Sequence, residues 1–104
     1  MRDIRDNIRP AHSFVEGLDL TEFAKDARTL YAVTRCLEII SEASRRVGSS
    51  VQARHPNIPW GQIVRAGNIY RHENEEVRAE VLWRTVTEAL APLLVAVEAE
   101  IGLP

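Results

Sequence analysis

The densest gathering of chemically capable side chains in this 104-residue chain lies between Asn57 and Asn74, where Arg65, Asn68, Arg71 and His72 follow an aromatic anchor at Trp60. An imidazole that titrates near neutrality can take the proton from a ribose 2′-hydroxyl, and a guanidinium can stabilise charge developing on phosphoryl oxygens. Together they supply a metal-free route to RNA cleavage, with Asn68 placed to orient the imidazole or the substrate. Pro59 suits the first position of a helix, because its fixed φ fits and its missing N–H would be unpaired there anyway. In one continuous ideal helix, Ile63, Val64, Gly67 and Arg71 fall within about 60° of Trp60, and Asn68, His72 and Arg65 at about 80°, 120° and 140°. Arg65 and His72 would then share a stripe about 10.5 Å apart along the axis, which favours Arg65 over Arg71 as the companion of His72. A solvated helix face would carry the same residues, so spacing alone leaves both readings open.

Other chemistries find less support. His12, His55, His72 and Cys36 have no paired spacing of the kind zinc sites use. Glu73, Glu75, Glu76 and Glu80 read as a solvated helix start favoured by the helix dipole rather than a magnesium site. Glycine-rich phosphate loops and Ser-His-Asp constellations are missing from the sequence, and no cofactor is expected.

The elements that must position these residues follow from periodicity. Ile4, Ile8, Ala11 and Val15 predict a helix over about 2–16, ended by Gly17, with a kink at Pro10 or a break before His12. Asp19 or Thr21 should cap a short helix through Lys25, anchored by Phe23. Leu30, Val33, Leu37, Ile40 and Val47 predict a central helix over about 27–47 with Gly48 as its cap. That helix also carries Ala32, Cys36, Ile39 and Ala43, enough to meet both its own core and a second subunit. Residues 49–55 read as a connector with room for one helical turn. Val77 to Ile101 predicts a last helix bent at Pro92. Nothing alternates with period two, so the expected fold is all-α, an antiparallel bundle of four to five helices in one domain over 1–104.

Composition bounds the partners. The net charge of −2 does not draw the whole protein to nucleic acid, so any such binding needs a local patch. Of the 13 basic residues, 12 are arginines, whose forks bind phosphate bidentately. A single cysteine and no basic-then-apolar leader point to a cytoplasmic protein, and no apolar run approaches membrane-spanning length.

Four blocks in order carry a family resemblance: Tyr31 to Ala43, Arg54 to Trp60, Gly67 to His72, and Val81 to Trp83. Through them the chain resembles the HepT-like branch of the HEPN superfamily over about residues 2–101. The resemblance implies a HEPN-like helical homodimer acting as the ribonuclease toxin of a type II toxin-antitoxin system. It also implies a cognate nucleotidyltransferase antitoxin of the MntA type. The family motif is an arginine, four to six residues, a histidine, one residue, then a tyrosine. His72 matches the histidine and Arg65 the arginine at the longest spacing; the tightest spacing would put arginine where Gly67 stands. Asn74 occupies the tyrosine's place. That tyrosine is implied to accept the antitoxin's adenylate groups, which Asn74 cannot do, so the alternative is a catalytically impaired helical partner of the nucleotidyltransferase. Tyr70 is packing first and only secondarily a substitute acceptor.

Overall fold

The computed structural model describes residues 1–68 and 74–102, and the described residues form helices and turns without strands. Helix α1 spans Arg2–Val15 and buries Ile4, Ile8, Ala11 and Val15, the stripe expected from spacing. It does not break at Pro10: the helix runs through to Val15, and Gly17 beyond it takes φ 79°, the left-handed region where a missing side chain removes the penalty. Helix α2, Leu20–Lys25, is capped by Asp19 rather than Thr21. The Asp19 carboxylate accepts the Glu22 N–H at 2.8 Å while the Glu22 side chain accepts the Asp19 N–H at 3.0 Å, closing a reciprocal capping box. Phe23 is wholly buried and its ring stands 5.5 Å from that of Trp83.

Helix α3, Ala27–Arg45, is the central element, covered by α1 along one side and by helix α5, Trp60–Ala66, on another. It stops at Arg45, two residues short of the expected Val47. Gly48 serves as the N-cap of the next helix, α4, Ser49–Arg54, rather than as a C-cap. The 49–55 connector is therefore mostly helical.

The C-terminal rod is continuous from Glu75 to Ile101 but not uniform. Helix α6, Glu75–Arg84, passes into a π-helical turn over Thr85–Ala89 and then into α7, Leu90–Ile101. The irregularity expected at Pro92 thus appears in the turn preceding it. Pro92 can donate nothing to the Glu88 carbonyl, and its ring crowds that oxygen; inserting one residue per turn relieves the crowding. Within the widened turn the Leu90 N–H bonds Thr85, five residues back, instead of Val86. His12 of α1 then donates Nε2–H to the Val86 carbonyl at 3.2 Å. The Arg9–Glu98 pair at 3.7 Å, one turn earlier on α1 and three turns later on the rod, shows the two run antiparallel. Among the described residues the bundle is all-α, as the periodicity implied, and consistent with the HEPN-like bundle that the resemblance implied.

Candidate functional site

Of the candidate site residues, Arg65 lies on α5 and Asn68 just beyond it, and contacts at both ends hold α5 in place. At its entry, Trp60 donates its indole Nε1–H to the His55 carbonyl at 3.2 Å, and its backbone N–H bonds Ile58 at 2.9 Å. Pro59 is the N-cap rather than the first helical residue. The preceding loop is tied to the far end of α7: Arg54 grips the Glu100 carboxylate through both Nε and Nη2, and His55 Nε2 donates to Glu100 Oε2 at 2.8 Å. These charge-assisted bonds hold the Glu100 carboxyl well below its usual range, at about 2, the Arg54 guanidinium contributing most and His55 next. Because the folded pKa is depressed, the stabilisation is fully present above the ordinary value of about 4.5. It is lost as pH falls from there towards 2. Glu100→Gln should therefore flatten the acid side of the stability profile between those two values. Urea unfolding of both proteins across that range checks it.

At its exit, α5 ends against α3. Buried Ser41 of α3 donates its hydroxyl to the Val64 carbonyl at 2.7 Å, satisfying one of the carbonyls a helix end leaves open. Gly67 sits directly on this serine: a Cβ at position 67 would lie 2.3 Å from Ser41 Cβ and 2.7 Å from its Oγ. No arginine fits there while Ser41 is present, so the tightest form of the motif is closed to this chain.

The faces of α5 divide as expected. Ile63, Ala66 and Gly67 are buried and Trp60 packs on the core, whereas Arg65 and Asn68 are exposed. The Arg65 guanidinium folds back over Gly61, with Nη1 3.4 Å from where a Cβ there would stand, and makes no ion pair among the described residues. Asn68 turns its Nδ2 back to the Val64 carbonyl at 3.4 Å. The helix itself, however, ends at Ala66, and the Asn68 N–H bonds Arg65, three residues back, at 3.0 Å. The continuous helix that aligned Arg65 with His72 thus does not reach position 68. Tyr70, Arg71 and His72 lie outside the described residues.

The described chain resumes at Asn74, whose Oδ1 accepts the Val77 N–H at 2.9 Å and caps α6. Asparagine is among the preferred N-cap residues, so the position where the family motif has tyrosine performs a helix-start role in this protein. Among the described residues no group of three or more His, Cys, Asp or Glu gathers as a metal site would require. Sequence reasoning missed the Ser41–Gly67 contact. Its only sequence signal was small residues on two apolar faces, Ser41, Ala43 and Ser44 on one segment and Ala66-Gly67 on another.

The family model described as Ribonuclease HepT-like matches residues 4–100. A candidate RNase of Methanocaldococcus jannaschii is 33% identical over 96 residues, covering 92% of this chain and 88% of the relative. A protein of Thermococcus cleftensis named "Probable ribonuclease HepT" is 34% identical over 93 residues, 89% of this chain and 84% of its own. No solved structure matches at a comparable level. With a family model spanning nearly every helix and relatives matched over most of both lengths, the chain belongs to the HepT-like ribonuclease family.

Proposed function

We propose that the protein is a metal-independent endoribonuclease and the toxin of a toxin-antitoxin pair, with His72 moving the proton and an arginine, Arg65 or Arg71, stabilising the phosphoryl oxygens. The observation that supports it most is family membership combined with a firmly anchored α5, which presents exposed Arg65 and Asn68 a few residues before His72. In the reaction the 2′-oxygen loses its proton to the imidazole and attacks phosphorus. The bond to the 5′-oxygen breaks, and that oxygen leaves with a proton, giving a 2′,3′-cyclic phosphate and a 5′-hydroxyl.

The cognate partner in this reading is a nucleotidyltransferase of the MntA type. The working unit is a homodimer whose two 65–74 segments approach, so that arginines of both chains form the positive groove that the net charge denies elsewhere. A second reading, a catalytically impaired partner of the same nucleotidyltransferase, is favoured by one observation: the tyrosine's place is filled by a helix cap with no hydroxyl. Incubating purified protein with single-stranded RNA in EDTA separates the two. Products ending in cyclic phosphate are expected under the first reading, and intact RNA would leave only the second.

A further inference from the structure

Tyr31 is the most exposed large aromatic among the described residues, at 73% of its full accessibility, although it lies on the central helix. It has cationic neighbours on the same face. Arg28 and Arg35 stand three residues before it and four after, about 60° and 40° away around the axis, and both are exposed. Beside Tyr31 a mostly apolar cleft of about 160 Å³ runs between α3 and α6, lined by Leu30, Tyr31, Thr34 and Arg78. A second hollow of about 180 Å³ continues it towards Lys25 and Glu75. Arg78 belongs to α6, and its side chain is 21% exposed at the cleft wall.

We propose that this face is a subsite for single-stranded RNA, with one base stacked on Tyr31 against the cleft and neighbouring phosphates held by Arg28 and Arg35. The inference rests on the ribonuclease reading for its choice of ligand. An exposed planar ring beside an apolar hollow is what a splayed base uses, because every base offers a π-face whatever its sequence. Cations on both sides of the ring match the charged backbone leading to and from that base. The opposing carboxylates hold these arginines weakly. Arg35 meets Glu38 at 3.8 Å, a long surface pair, and the Asp26 carboxylate near Arg28 is occupied in capping α3 through Thr29. Glu75, on the cleft margin, is three residues after His72 in the chain.

The test uses a fluorescein-labelled, 2′-O-methyl single-stranded RNA octamer, which cannot be cleaved at the 2′-position, in anisotropy titrations. Tyr31→Ala should weaken binding by about 5- to 100-fold and Tyr31→Phe should retain it, because stacking needs the ring and not the hydroxyl. Arg28→Gln and Arg35→Gln should each lower the slope of log affinity against log salt by about one. Unchanged affinity in Tyr31→Ala would overturn the proposal. So would a loss of binding accompanied by a smaller sedimenting species, which would make the face a subunit contact. Cleavage of ordinary RNA is assayed in parallel. If wild type cleaves but Tyr31→Ala binds normally, the subsite falls and the enzyme stands. If wild type binds through Tyr31 without cleaving, the enzyme reading falls and the subsite stands. If wild type neither binds nor cleaves, both fall.

Discussion

Replacing His72 by alanine should lower RNA cleavage in EDTA by about 10²- to 10⁴-fold, the contribution a positioned acid-base group ordinarily makes. The loss should fall on kcat rather than KM, because a proton is shared with the imidazole only as the 2′-oxygen attacks. Wild-type activity should rise with pH along a limb that vanishes in His72→Ala. Equal activity of the variant and the wild type would defeat the assignment. The companion arginine is decided by the same assay. The preference for Arg65 over Arg71 rested on a helix continuing through His72, and α5 ends at Ala66, so that angular argument no longer ranks them. Whichever of Arg65→Ala and Arg71→Ala loses about 10²-fold or more identifies the group that meets the phosphoryl oxygens.

Gly67→Ala should destabilise the fold by about 1–3 kcal/mol, the usual cost of forcing one extra carbon into a filled space. The sign is not obvious beforehand. Gly67 has φ −73°, a conformation alanine adopts freely, and a compatible Gly→Ala change normally stabilises by about 0.4–1 kcal/mol through the unfolded chain. Here the new carbon would meet Ser41 Cβ at 2.3 Å, Ser41 Oγ at 2.7 Å and the Leu37 carbonyl at 3.0 Å. Two of these belong to a buried side chain fixed by its bond to Val64 and the third is helix backbone, so neither can move cheaply, and the steric term wins. Thermal melts should show the loss as a Tm drop of roughly 4–8 °C per kcal/mol for a domain near this size.

The decisive comparison is the double variant. Ser41→Gly alone gives up a hydrogen bond worth about 0.5–1.5 kcal/mol. Combined with Gly67→Ala it removes the two closest clashes, so the pair should lose less than the sum of the single changes. Strict additivity would show that the contact at Ser41 does not govern position 67. The same opening is what a Gly67→Arg side chain needs for its first carbon, and that variant should fold only together with Ser41→Gly.

Much of the architecture could be read from residue types because it is set locally. The stripe Ile4, Ile8, Ala11 and Val15 is buried as its spacing requires, Asp19 and Glu22 cap α2 across one turn, and Phe23 fills the core. Packing of Trp60 on the core and burial of Ile63 and Gly67, against exposure of Arg65 and Asn68, also followed from the helical angle over a single short stretch. Where elements stop was less accessible. Gly48 could equally end α3 or open α4, and the requirement that Pro92 imposes on the rod was met upstream in the turn over Thr85–Ala89, where His12 takes up the Val86 carbonyl.

By itself, then, the sequence determined an all-α chain of the HepT-like ribonuclease family, the apolar stripes of its helices, and the residue types around Arg65, Asn68, Arg71 and His72, since periodicity, capping and motif order are written in neighbouring residues. Tertiary structure alone decided that α5 halts at Ala66 and that Tyr31 faces solvent beside Arg78. The physical reason is the same at α5 and Tyr31: these depend on space shared by residues distant in sequence. Ser41 fills the volume position 67 would otherwise offer, and α6 walls the cleft beside α3, relations that no local pattern encodes.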